Sequence, residues 1–194
     1  MVAQDSVDVP LEKNDLRRIL AQVDFSDRCQ QLADYWLSLC SDTALPQRDN
    51  IDPACIKSLL PGVIIFEVVP YSSVRVGLSG TDFRGALKVE LSGADWIAKT
   101  PVKDRAERLK VFSQVARGAI AFNRWCFTHN VPGVGVAMCE KLLLPLRARK
   151  GLPAIPVLGF VDWSDTRQKA GCDIGLDHVA PPELIGLTCS QAAS

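Results

Sequence analysis

The seven residues VIIFEVV, Val63 to Val69, limit what this chain can fold into more than any other stretch. Five of the seven are β-branched, and such side chains are stiff at χ1 and pack well on a pleated surface. Pro61 stands just ahead and Pro70 just behind, so no helix can run through the segment. The run is therefore read as a strand. The next apolar stretch, VRVGLS, alternates, with Val74, Val76 and Leu78 on one side and Arg75, Gly77 and Ser79 on the other. The two strands predict a hairpin turning around Tyr71 to Ser73.

Helical signals flank this hairpin. Asn14 precedes Leu16, Ile19, Leu20 and Val23 at three-four spacing, and Ser26 precedes Cys29, Leu32, Ala33, Trp36, Leu37 and Cys40. The second set is an unbroken apolar stripe. It suits either packing on its own domain or a dimer or partner surface. SDTALPQRDN then reads as a linker, and Asp52-Pro53 opens a short helix that ends near Leu60. Later, Val102, Ala106, Leu109, Phe112 and Ala116 fit one face of a longer helix that stops at Gly118. Three more strands are expected over 122–130, 136–146 and 157–163, with a turn-rich tail after Ser164.

Between hairpin and long helix, LSGTDF returns as LSGADW thirteen residues later. That spacing is too short for a solenoid, whose units run to about 20 residues or more. A phosphate loop fails too, because Gly80 and Gly85 are followed by Ala86 and Leu87 where Lys and Ser/Thr are needed. Each Gly is read as the end of one element before the capped start of the next.

Strands in two runs separated by helices predict an α+β fold, a five-stranded antiparallel sheet with helices on one face and an N-terminal helical arm. Such a sheet leaves a concave cavity under its helices. The expected organisation is an arm over 1–44, a main domain over 45–164 and a tail over 165–194.

With 47% hydrophobic and 23% charged residues, the chain has the balance of a globular protein. Lys plus Arg and Asp plus Glu number 22 each, which gives no support to a nucleic-acid or anionic-membrane surface. No apolar run approaches the roughly 20 residues that span a bilayer. The start lacks signal-peptide character, and the seven scattered cysteines read as reduced thiols. A cytoplasmic location is expected.

Three stretches carry a resemblance: LPQRDNIDPACIKSLLPGVIIFEV, VRVGLSGTDFRGALKVELSGADW and EKLLLPL. Together they are similar to a divergent bacterial branch of the PAS domain family, over roughly Leu45 to Trp163. The matching positions are Arg48, Asp52 and Pro53, then Gly80 and Thr81, Gly93, and Pro145 with Leu146. The resemblance implies a non-enzymatic sensory or protein-interaction module, sometimes holding a small ligand between sheet and helices. No kinase, cyclase or DNA-binding segment is expected to follow, so output would pass to another protein, and the apolar stripe of the helical arm is the expected surface for a homodimer or signalling partner. A flavin site of the family needs Asn-Cys-Arg-Phe on a helix, whereas NRWCF orders these residues differently on an expected strand. Haem needs a ligand such as His on the long helix, and neither His129 nor His178 falls there. FMN and haem are accordingly not expected.

Candidate ligand-binding residues are Thr81, Trp96, Phe112, Trp125, His129 and Met138, since large aromatics, a Met and a few polar groups suit a pocket. The same residues would also make a filled core or a dimer face. Cys126 and His129 form C-x-x-H, which Cys139 could join, but a structural zinc site needs a fourth ligand. The enzyme alternative uses Cys126, His129 or Cys139, with Glu140 or Asp162 orienting the base. Its motif is missing.

Overall fold

The computed structural model describes residues 12–83, 90–128, 136–162 and 183–185. Its strands are β1 Val63–Val69, β2 Ser73–Ser79, β3 Ile120–Thr128, β4 Val136–Pro145, β5 Ile155–Asp162 and β6 Glu183–Ile185. All neighbours pair antiparallel in one sheet of order β2-β1-β5-β4-β3-β6. The five expected strands are present and the architecture is α+β. A sixth strand of three residues joins the edge of β3, where Ile120 pairs with Ile185.

Three helices pack on this sheet: α1 Lys13–Leu20, α2 Asp27–Leu39 and α3 Arg105–Ala116. Alternation along β1 divides its apolar run, sending Ile64, Phe66 and Val68 to α3 and Val63 and Ile65 to α1 and α2. A strand covered on both faces has no polar side to show. The arm expected from the sequence is thus a layer folded against the sheet.

The apolar stripe of α2 is the inner surface of that layer. Cys29, Leu32, Ala33, Trp36 and Cys40 are all buried, in one cluster with Leu142, Leu144 and Phe160. Packing on its own domain therefore occupies the stripe, and docking a dimer mate or partner through it is corrected. Ser26 caps α2 as expected, its Oγ accepting from the Cys29 N–H at 3.3 Å.

The two LSG copies lie side by side. β2 ends at Ser79, and the second copy returns along it: Val76 N–H donates to Ala94 O at 2.9 Å, Gly93 N–H to Val76 O at 2.7 Å and Trp96 N–H to Val74 O at 2.8 Å. Asp95 then caps the turn that follows, accepting from the Ile97 and Ala98 N–H groups at 2.9 and 3.0 Å. The two glycines serve different ends. A Cβ on Gly80 would lie 2.2 Å from Pro61 O and 2.4 Å from Leu60 O, whereas Gly93 has open space but a φ of +79°.

Gly80→Ala is expected to cost about 1–3 kcal/mol, because backbone carbonyls cannot move aside as a side chain can. Gly93→Ala should cost about 1–2 kcal/mol from left-handed strain alone, and Gly93→Asn less, since Asn tolerates that region. Urea denaturation of the three variants checks this. Equal losses for Gly93→Ala and Gly93→Asn would contradict the assignment to backbone conformation.

The buried face of α3 differs from the expected one. Val102 lies in a 3-10 turn and is 77% exposed, and Ala106 is also exposed. The residues turned inward are Arg108, Val111, Phe112, Ser113, Val115 and Ala116. A ranking of helix faces by apolar residues alone misses this, because the inward face includes an arginine.

Candidate functional site

The interior between α3 and the sheet is built around Phe66 of β1. Its ring meets Trp96 at 5.5 Å and Phe112 at 4.7 Å between centroids, both edge-on. Two of the expected ligand-site residues are thereby brought together in one buried cluster. Thr81 is exposed at the start of a helical turn over 81–83, away from this interior. His129 lies outside the described residues.

Register separates two others. Trp125 pairs with Cys139, and Met138 pairs with Cys126. Cross-strand partners share a face and successive residues alternate, so Trp125 holds a position on the α3 face and Met138 one on the α1/α2 face. Sequence alternation gives a face pattern for each strand separately, but only the register relates one strand to the next.

Besides Ser113, three polar residues enter the α3 side. Arg108 of α3 is 1% exposed and Lys141 of β4 is 3% exposed. Lys141 pairs across β3 with Asn123, which is also buried, and across β5 with Val161. Lys141 lies between Cys139 and Leu143, both of the cluster beside α3. The described carboxylates of these strands, Glu67, Glu140 and Asp162, occupy positions of the other parity and belong to the opposite face. Burial holds the Lys141 ammonium well below the ordinary lysine range, and the nearby charge of Arg108 lowers it further. Burial also lowers Arg108, while Asp104 pulls it back up. Among the described residues, the buried Trp96 Nε1–H finds no acceptor and the buried Gln114 Oε1 no donor.

Neither cation was among the expected site residues, yet both leave a trace in the sequence. Lys141 sits two residues from Cys139 and from Leu143, the period of one strand face. Arg108 stands three and four residues before Val111 and Phe112, the period of one helix face. Charge drew attention away from positions that spacing marks as interior.

A depressed lysine has a definite effect on stability. The unfolded chain protonates Lys141 at about pH 10.4 and the folded one only at lower pH. Between those values the unfolded state binds more protons, so stability falls as pH falls. The penalty is complete below the folded pKa and absent above the unfolded one. Lys141→Met should therefore be more stable than the native protein at neutral pH, with an advantage that shrinks toward pH 10. Denaturation at a series of pH values tests this, and a constant difference would contradict it.

The opposite face carries an ion-pair ladder beneath the N-terminus of α2. Arg124, Glu140 and Asp162 are successive cross-strand neighbours on β3, β4 and β5. Glu140 accepts from Arg124 Nε at 2.7 Å and from the Ser26 N–H at 2.7 Å. Asp162 accepts from Ser26 Oγ at 2.8 Å and from Arg28 Nη1 at 3.0 Å. Both carboxylates considered as orienters of a catalytic base are thus engaged in anchoring α2.

Cys139 is buried on the α3 face, and register gives Cys126 a position on the other. Burial pushes the Cys29 thiol far above its usual range and raises Cys40 to about 11. Because the thiolate is the reactive form, iodoacetamide should label exposed Cys55 in the folded protein and spare Cys29, Cys40 and Cys139. Peptide mapping reads this directly; rapid labelling of Cys139 would reopen a thiol role. Among the described residues, no group of three or more His, Cys, Asp or Glu is arranged to hold a metal ion. None of their helices is long and apolar enough to cross a membrane.

Among the described residues, an antiparallel sheet with α3 packed on one face and α1 and α2 on the other defines an α+β module. The family model for the PAS domain matches residues 25–161, and the chain belongs to the PAS domain family. The match takes in α2 as well as α3 and the strands β1 to β5, and β6 lies beyond it. PAS domains are in general sensory or regulatory modules without chemistry of their own. No curated protein matches the chain.

Proposed function

We propose that this protein is a cytoplasmic sensory or regulatory module of bacterial signalling, which binds a small molecule between α3 and the sheet and hands the result to another protein. The observation that carries this reading is the polar interior beside α3, where Arg108, Asn123 and Lys141 interrupt an otherwise apolar cluster. Charged side chains are seldom fully buried, and a few polar groups in an apolar surround are what a ligand site needs. Trp96, Phe112 and Trp125 supply its aromatic part. Free thiols at Cys29, Cys40, Cys55 and Cys139 suit a reducing compartment. Output, through a homodimer or a separate signalling protein, uses the polar outer side of α1 and α2, where Arg17, Gln30, Gln31 and Asp34 are exposed.

Thermal denaturation against a broad metabolite panel tests the ligand. A binder raises the melting temperature by mass action. Cys139→Phe should abolish that rise by filling the space, and its own melting temperature is the baseline because overpacking costs about 1–3 kcal/mol. A rise that survives undiminished in Cys139→Phe would place the ligand elsewhere.

A further inference from the structure

We infer that the outer edge of β3 is a docking site for an extended peptide of a partner protein, and that β6 holds the site in the partner's absence. The inference goes beyond the ligand reading and does not depend on it. Three observations carry it. β6 is three residues long and pairs with one neighbour only, with Ile185 opposite Ile120, Leu184 opposite Ala121 and Glu183 opposite Phe122. No tight turn fixes it there, because β5 ends at Asp162 and both β4 and β3 stand between β5 and β6 in the sheet. The edge it covers needs covering: Ile120 and Ala121 are buried, one in the cluster beside α1 and α2 and the other in the cluster beside α3.

A strand held through three residues on one side opens more readily than strands paired on both sides. Each opening uncovers N–H and C=O groups of β3 next to buried apolar positions, and such an edge accepts an added strand. β6 also shows what fits. The occupant is extended, antiparallel to β3, and reads as an acidic residue followed by two aliphatic ones.

The sequence explains why this ladder is short. In an antiparallel pair the residues before Glu183 would run along β3 beyond Phe122, but these are Pro181 and Pro182, and proline cannot donate to a ladder. β3 itself continues to Thr128. A second copy's β6 carries the same two prolines and makes the same three-residue ladder, so it gains nothing over the strand already tethered to the chain. A partner strand without prolines gains by pairing farther along β3, which is how it displaces β6.

The test measures binding of two fluorescent peptides to the full chain: APPELIGLT, the sequence of residues 180–188, and TVTELIGLT, in which the prolines are gone. TVTELIGLT should bind tenfold or more tighter than APPELIGLT. Leu184→Pro removes the tethered competitor and should tighten both peptides at least tenfold. Pro181→Thr/Pro182→Val lets the chain's own strand lengthen and should weaken TVTELIGLT at least tenfold; if Leu184→Pro does not fold, this variant decides. Equal binding to the native chain and the variants, binding of a scrambled peptide as tight as that of TVTELIGLT, or no binding at all would overturn the docking edge. Light scattering that shows a dimer abolished by Leu184→Pro would overturn the partner peptide in favour of a second copy. The metabolite panel is independent of each of these results.

Discussion

Trp36→Ala should lower the free energy of unfolding by about 3–5 kcal/mol, by the same amount at every protein concentration. Trp36 is wholly buried in the middle of the α2 stripe, and its Nε1–H donates to Pro145 O at 2.9 Å. The substitution leaves a cavity against Leu142, Leu144 and Phe160 and also strands a buried carbonyl. Trp36→Phe separates the two contributions. It keeps most of the ring, so its loss, about 1–3 kcal/mol, reports mainly the orphaned carbonyl. Urea denaturation at two protein concentrations tenfold apart is sufficient. A loss below 1 kcal/mol, or one that grows on dilution, would return the stripe to the role of an interface.

The double variant Glu140→Gln/Asp162→Asn should lose about 3–5 kcal/mol at neutral pH, the scale for breaking a buried charge pair. Both carboxylates are buried and both hold Ser26, one through its N–H and one through its hydroxyl. Once one anchor is gone the other holds a looser helix end, so the two single losses should not add. A double-mutant cycle supplies the coupling, and hydrogen exchange shows where the loss falls. Protection should drop first in α1 and α2 while β1 and β5 keep theirs. Additive losses of a few tenths of a kcal/mol, with uniform exchange, would reduce the ladder to a surface ornament.

Local stiffness and covering made some parts of the fold legible. β1 runs over the residues expected because β-branched side chains between two prolines have little alternative. α2 was legible from its cap and stripe, though the identity of what covers the stripe was not, since an apolar surface says nothing about whose surface it meets. β6 escaped because three residues in a turn-rich tail gain strand geometry only by pairing with Ile120, Ala121 and Phe122, far away in sequence. The burial of Trp96 and Phe112 beside α3 was legible from size and hydrophobicity. Arg108 and Lys141 were missed by the same criterion, although their periodicity marks them as interior. The relative parity of Trp125 and Met138 depends on register, which the pattern of each strand by itself does not give.

Glu140 and Lys141 are consecutive residues, one reaching toward the anchored start of α2 and the other into the interior beside α3. A single planar peptide unit joins them, with alpha carbons about 3.8 Å apart. Nothing soft lies between. Any shift or tilt of β4 at Lys141 is carried directly to the carboxylate that holds Ser26, with no chain of intermediate side chains to absorb it. The sheet in this place works as a thin diaphragm, and the outer helical layer is joined to the interior beside α3 at a point where the protein is one strand deep.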